Sequence, residues 1–166
     1  MSDGVAEATF EDSAALGAPE TVAKSEWVVM KFGGSSVATA QNWEVIAQLV
    51  RQRLEAGLRP VVVHSALAGV SNALESVLDE AITGDASAQL REIRERHYEL
   101  ADALGLDGPE ILEESLQQLD QLVAGVRLVR EVSVRVRVRI MALGELMATR
   151  MGACLLYTSD AADDRP

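Results

Sequence analysis

The sequence predicts an α/β fold that begins with a β-α-β unit and continues with several helices. Two short runs rich in β-branched residues, at 27–30 and 61–63, have the length and composition of buried strands. A helical pattern joins them, and handedness rules favour neighbouring parallel strands for such a crossover. Ligands bind at the carboxyl ends of strands in sheets of this kind, so the segments that follow the two strands are candidate site segments.

The connecting helix is predicted to run from about Thr39 to Ala56. Gly57 follows it as a stop signal, and Pro60 opens the second strand. Apolar residues at helical spacing predict the face that packs on the sheet, and they are Trp43, Ile46, Ala47, Val50 and Leu54.

Three more helices are predicted after the second strand. The first covers residues 71–83, with Ser71 as a candidate N-cap. A charged amphipathic helix over Ala86–Leu104 ends at Gly105, and Pro109 begins the next helix. We expect these last two helices to form an antiparallel hairpin.

Segment 132–140 carries conflicting signals. Its residues alternate with a period of two, which is typical of a strand, whereas residues 141–151 are strongly helix-forming. The residues alone leave strand and helix both open here.

The most informative segment is 31–37, with the sequence Lys-Phe-Gly-Gly-Ser-Ser-Val, directly after the first strand. Its adjacent glycines let main-chain N–H groups approach an anion, and the following helix directs its positive end to the same place. Lys31 adds a full charge, and Ser35 and Ser36 add hydroxyls. These features indicate a phosphate site. The alternative is an ordinary tight turn with a solvated lysine, because the spacing is that of neither a P-loop nor a dinucleotide fold.

Two further segments complete a pattern. Segment 65–72, Ser-Ala-Leu-Ala-Gly-Val-Ser-Asn, follows the second strand, and Gly144–Met147 places a lone acid in an apolar helical setting. In this order and at these separations, the three segments resemble the N-terminal part of aspartate kinases, in the amino-acid kinase superfamily. The resemblance implies a three-layer α/β/α sandwich, of which this chain would hold the β-α-β unit and the helical region on the substrate side. It also favours a helix over 132–140.

The resemblance implies transfer of the ATP γ-phosphoryl group to the β-carboxylate of L-aspartate, with ATP and Mg²⁺ as cofactors. A carboxylate is already a nucleophile at neutral pH, so the reaction requires positioning and charge neutralisation more than a general base. The implied ATP-binding residues are Lys31, Gly33, Gly34 and Ser35, and Lys31 would stabilise the transferring phosphoryl group.

The implied aspartate-binding residues are Ser65, Ser71 and Glu145. We expect Glu145 to point inward and to be partly desolvated opposite the substrate ammonium group; the alternative is a solvated helix glutamate. The family usually has threonine where Ser35 and Ser71 stand, and serine keeps the hydroxyl.

Neither histidine is assigned to catalysis. His64, at a strand end, is predicted to be a hydrogen-bonded packing residue, because phosphoryl transfer to a carboxylate gives it no necessary role. His97 lies among alternating arginines and glutamates and is predicted to belong to a solvated helix face. Neither has a second ligand at metal spacing, so no metal bound by protein ligands is predicted.

Composition predicts a soluble cytoplasmic protein, with 48% hydrophobic and 25% charged residues, and we expect no run long enough to cross a membrane. The net charge of −11 divides into −4 for residues 1–24, −2 for 154–166 and −5 for the remainder. Nucleic acid and anionic membranes need a basic face, so neither is a predicted partner. The resemblance implies a homo-oligomer at full length.

Three regions are predicted along the chain. Residues 1–25 are expected to be a disordered acidic leader, and residues 26–153 the N-terminal part of an amino-acid kinase domain. Segment 154–166 resembles the translated adapter of a sequencing library, which predicts a non-native tail; a natural polar tail is the alternative. Such a chain is expected to have little or no turnover alone.

Two other functions stay open. One is a different amino-acid kinase that phosphorylates a carboxylate or carbamate, since Lys-x-Gly-Gly recurs across the superfamily. The other is a non-catalytic module in which the long helices mediate association. The residues do not decide whether the parent is fused to a second enzyme, such as diaminopimelate decarboxylase or homoserine dehydrogenase.

Overall fold

A computed structural model describes residues 25–163 of the chain. The predicted order of a β-α-β unit followed by helices is confirmed. The described elements are β1 (Trp27–Phe32), α1 (Ala40–Glu55), β2 (Arg59–His64), α2 (Val70–Thr83), α3 (Ser87–Ala103), α4 (Gly108–Val129) and α5 (Val134–Asp163).

The sheet of the described residues has two parallel strands, as predicted. Trp27 pairs with Arg59 at one end and Phe32 with His64 at the other. Burial alternates along both strands, so that one face packs on helices while the other, with Val29 and Lys31, is exposed in this part of the chain. Of the three layers implied by the resemblance, residues 25–163 therefore form the sheet and one helical layer.

Helix α1 begins and ends as expected. The Thr39 hydroxyl caps it by accepting from the Asn42 N–H at 3.2 Å, and Gly57, which follows its C-terminus, has a φ of 73°. Four residues of the predicted stripe are buried, but Leu54 is 47% exposed. It lies in the last turn, at the rim of an open hollow that Leu156 also lines.

Helices α3 and α4 form the predicted antiparallel hairpin. A Cβ at Gly108 would lie 3.2 Å from Ala101, and Arg94 donates to Asp120 at 2.8 Å. Between these contacts, the Tyr98 hydroxyl donates to a Glu113 carboxylate oxygen at 3.3 Å. Positions therefore descend along α3 as they rise along α4. Asp107 caps α4 by accepting from the Glu110 N–H at 3.0 Å, and Pro109 stands in the first turn.

Segment 132–140 is helical from Val134, so the helix favoured by the resemblance is confirmed and the alternating pattern was misleading. Within residues 25–163 the alternate valines face no sheet, and Val134 is 79% and Val138 is 61% exposed. The buried residues of α5 follow helical spacing instead, and they are Ile140, Leu143, Met147, Ala148 and Met151.

By length and composition alone, α5 could cross a membrane over Val134–Thr158, where its mean hydropathy is 1.2. The expectation that no run reaches that length was therefore wrong. The run 140–157 is interrupted only by the charges of Glu145 and Arg150. Its buried stripe belongs to the same core as α2 and α4.

Two expectations about single residues were wrong. His97 is fully buried, because it shares the inner face of α3 with Ile93 and Leu100 while the charged residues take the outer face. Its Nδ1 contacts the Ile93 carbonyl at 2.7 Å. Ser71 is not the cap of α2, since the helix begins after Gly69, whose φ of 82° is a left-handed conformation that glycine readily adopts. Residues 1–24 of the predicted leader (1–25) lie outside the described residues.

Candidate functional site

The glycine segment after β1 uses its carbonyl groups and leaves its N–H groups free. The carbonyls of Gly33, Gly34 and Ser35 accept from the Ser36 N–H at 3.0 Å, the Ala68 N–H at 3.2 Å and the Asn42 side-chain amide at 3.0 Å. Within residues 25–163, the N–H groups of the same three residues have no hydrogen-bond acceptor. Successive free N–H groups form a concave anion site, so this segment fits a phosphate group.

The two glycines have different surroundings. A Cβ at Gly33 would meet nothing within 4 Å, whereas a Cβ at Gly34 would lie 2.8 Å from the Ala66 carbonyl oxygen. The main chain at Gly33 is thus open to an approaching ligand. Gly34 is required instead for close packing between the two loops.

Lys31 lies one residue before the end of β1, on the exposed face of the sheet and opposite Val63. Its side chain is exposed, and it forms no ion pair with any described residue. The ammonium group is therefore available to an anion held beside the glycine segment.

The three segments that carry the resemblance meet at Ala66, which is buried. On one side, Gly34 approaches its carbonyl oxygen as described. On the other side, a Cβ at Gly144 of α5 would lie 3.1 Å from the Ala66 Cβ, and it would also meet Val70 and Leu74 of α2. Segments far apart in the chain thus converge on one small residue, which sequence reasoning had not singled out.

The predicted serines lie on these converging segments. Ser35 is exposed, while Ser65 and Ser71 are half-buried. None of the three hydroxyls has a hydrogen-bond partner among the described residues. Because Ser71 does not cap α2, its hydroxyl stays available to a ligand.

Glu145 does not point into the core. It is exposed, and the expectation of an inward, partly desolvated carboxylate was wrong for the described part of the chain. Successive residues of an α-helix are rotated by about 100°, so the burial of Leu143, Gly144 and Met147 turns Glu145 outward. It directly follows Gly144, the residue of α5 that approaches Ala66.

Two aromatic side chains, Trp43 and His64, contact the loops that follow β1 and β2. The Trp43 indole donates to the Val37 carbonyl at 2.9 Å, and its ring meets that of His64 edge-on, with centroids 5.4 Å apart. The His64 Nδ1 lies 3.1 Å from the carbonyl oxygen of Ser65. His64 is thus the packing residue that was predicted. The loop-supporting role of Trp43 was missed, because an apolar stripe in a sequence does not show what an indole N–H bonds.

In the described part of the chain, the site is an open surface and not an enclosed pocket. Lys31, Ser35 and Glu145 are all exposed. A larger hollow of about 460 Å³ lies elsewhere, between α4 and the start of α5, where Leu122 and Val136 line it. We assign the chemistry to the open surface, because the residues that line the hollow include no Lys or Arg, and the charged one among them, Glu131, would repel phosphate.

Comparison with known proteins identifies the family. Residues 26–160 match the model of the amino acid kinase family. The chain belongs to this family. Among its relatives, Aspartokinase 3, chloroplastic, from Arabidopsis thaliana is 36% identical over 133 residues, which cover 77% of this chain and 23% of that protein. Aspartokinase 1, chloroplastic, from the same plant is 31% identical over 162 residues, covering 95% of this chain and 28% of the relative.

Solved structures of family members support the same family assignment. The crystal structure of E. coli aspartokinase III in complex with aspartate and ADP has a TM-score of 0.68 at 28% identity, over 80% of this chain and 29% of that one. The same enzyme in complex with lysine and aspartate gives a TM-score of 0.69 at 29% identity, over 82% and 30%. The resemblance to aspartate kinases and the truncated amino-acid kinase fold are thus confirmed. This chain spans about a quarter of the length of the curated relatives.

Proposed function

We propose that this chain provides the phosphate-binding and amino-acid-binding part of a kinase that transfers the γ-phosphoryl group of ATP to the β-carboxylate of L-aspartate. The convergence at Ala66 supports the proposal, because Gly34 of the glycine segment and Gly144 of α5 both approach this residue of the serine segment. The names of the similar proteins, and the aspartate and ADP in the complex of aspartokinase III, support this substrate pair.

On the nucleotide side, the free N–H groups of Gly33, Gly34 and Ser35 would bind phosphate oxygens, and Lys31 would neutralise their charge. Mg²⁺ would supply further neutralisation of the phosphate charge when it is bound with the nucleotide. No cluster of three or more His, Cys, Asp or Glu side chains suited to a metal occurs in the described part of the chain. We therefore propose that the ion would be held mainly by the nucleotide.

On the amino-acid side, Ser65 and Ser71 would donate to the carboxylates of L-aspartate, and Glu145 would accept from its ammonium group. Because Glu145 is exposed, its charge is screened by water until a ligand or another part of the protein covers it. We expect its contribution to be correspondingly modest in this chain.

Nucleotide binding tests the role of Lys31. We expect Lys31→Ala to weaken ADP binding by roughly tenfold in calorimetry, because a charge-assisted contact to phosphate is lost. The matched control is Arg59→Ala, which removes a cation from the same sheet face at the other end of the strands. Equal ADP affinity in the wild type and Lys31→Ala would count against the phosphate site.

Substrate choice separates this proposal from its alternatives. L-Aspartate should bind better than L-glutamate, and Glu145→Gln should weaken aspartate binding without changing ADP binding. A preference for another acid would favour a different kinase of the family, and no binding of either ligand would favour the association module.

With ATP and hydroxylamine, we expect this chain to form little aspartyl hydroxamate; abundant product would show that it is catalytically sufficient.

Location and assembly remain proposals. The Arabidopsis relatives are named as chloroplastic. We propose a cytoplasmic place for this chain from its composition, and a homo-oligomer for the full-length protein. We also propose that residues 154–166 are a non-native tail, although α5 continues through the first part of that segment.

A further inference from the structure

One arginine of the helical hairpin reaches the serine segment. Arg96 of α3 donates from Nη1 to the Ala68 carbonyl at 2.7 Å and from Nη2 to the Glu92 carboxylate at 2.8 Å. A Cβ at Gly69 would lie only 2.6 Å from the same Nη1. The guanidinium group therefore lies directly on the loop that joins β2 to α2, and Glu92 holds it there.

Both main-chain polar groups of Ala68 form hydrogen bonds. Its N–H donates to the Gly34 carbonyl at 3.2 Å, and its carbonyl accepts from Arg96. Inside the loop, the Val70 N–H donates to the Leu67 carbonyl at 3.0 Å. One residue thus connects the glycine segment, the serine segment and the helical hairpin.

We propose that Arg96 is a positioning residue for the amino-acid substrate, acting through Ala68. Its hydrogen bond fixes the loop between Ser65 and Ser71, and so the separation of the two hydroxyls that would bind aspartate. The inference rests on the proposed function of this loop. A loop that is ordered before binding loses less conformational entropy when the ligand arrives, so the bond raises affinity without touching the ligand.

Two local features make the arrangement specific. A planar guanidinium group can serve the carbonyl and Glu92 at once, whereas a lysine ammonium group would reach them less well. Gly69 has both a left-handed φ of 82° and the close approach of Arg96, so a side chain at this position would strain the backbone and displace the guanidinium. Arg96 is 42% exposed, and its removal leaves no cavity in the core.

Arg96→Gln tests the inference, with Arg94→Gln as the matched control. Arg94 stands two residues away on the same helix, but it pairs with Asp120 and Glu113 of α4 and has no bond to the loop. In Arg96→Gln, we expect the Ala68 and Val70 amides to exchange hydrogen about fivefold faster and aspartate to bind about fivefold more weakly, with ADP binding unchanged. Arg94→Gln should change neither loop exchange nor aspartate binding.

Arg96→Lys separates positioning from general stability, since it keeps a cation and one donor and should restore part of the aspartate affinity. Unchanged amide exchange in Arg96→Gln would overturn the inference, and so would faster exchange with unchanged aspartate affinity. If the wild-type chain binds no aspartate, the proposed function fails and the inference fails with it. The exchange rates would then still show whether Arg96 orders the loop, so the two failures are distinguishable.

Discussion

At the scale of single residues, neighbours in the sequence have different tasks. Gly33 and Gly34 look equivalent in the motif, and neither has a positive φ. Only Gly34 has a neighbouring loop against its Cα, with the Ala66 oxygen 2.8 Å from a Cβ position. The difference between them is therefore one of space and not of backbone conformation.

We expect Gly34→Ala to lower the free energy of unfolding by about 1–3 kcal/mol, because two backbone segments would have to move apart. Gly33→Ala is the control and should change it by less than about 0.5 kcal/mol, since its Cβ would meet open space. Urea denaturation followed by circular dichroism measures both. Equal effects of the two substitutions would show that the loops are not packed as described.

At the scale of elements, several helix ends and the α3–α4 hairpin were predictable, whereas the packing of α5 was not. Thr39, Gly57 and Pro109 mark their helix ends by local chemistry, which acts over a few residues. The position of α5 depends instead on a residue that is far away in the chain. A Cβ at Gly152 would lie 2.4 Å from the Trp43 ring of α1, so the two helices approach closely only because a glycine stands there.

Two helical glycines should respond to alanine with opposite signs. Gly152→Ala should lower the free energy of unfolding by about 1–3 kcal/mol, because the methyl group would displace the Trp43 ring. A Cβ at Gly125 in α4 would meet nothing within 4 Å. Gly125→Ala should therefore raise the free energy of unfolding by about 0.5–1 kcal/mol, through better helix propensity. Thermal and urea unfolding compare the pair. Stabilisation by both substitutions would contradict the α1–α5 contact.

At the scale of the whole molecule, pH links a core residue to global stability. Burial of His97 lowers its pKa below the ordinary 6.5, the hydrogen bond to the Ile93 carbonyl opposes that shift, and the nearby Arg96 charge adds to it. Below pH 6.5 the unfolded chain therefore binds a proton more readily than the folded one. The resulting stability is fully present above pH 6.5 and is lost as the pH falls below that value.

We therefore expect the free energy of unfolding to fall between pH 7 and about pH 5, with His97 as the main cause of the slope. His97→Gln should flatten that slope, whatever the free energy of unfolding of the variant at pH 7. A second loss is expected below pH 3.8, because hydrogen bonds from Ser87 lower the pKa of Asp85. His97→Gln should keep that second loss. An unchanged slope above pH 5 in this variant would contradict the assignment.

The sequence by itself determined the β-α-β order, most helix ends, the three site segments and the family they resemble. These features depend on local propensity and on residue types at fixed spacing, which can be recognised without coordinates. The period-two signal over 132–140 misled because alternation records residue type alone, and in the part of the chain that the structure describes no sheet lies beside the alternating valines.

Only the tertiary structure decided that Ala66 joins the three segments, that Arg96 holds Ala68, that His97 is buried and that Glu145 is exposed. Each of these depends on which helix packs on which, through contacts between residues far apart in the chain. A residue's type shows which bonds it can form, but its neighbours across the fold determine which bonds it does form.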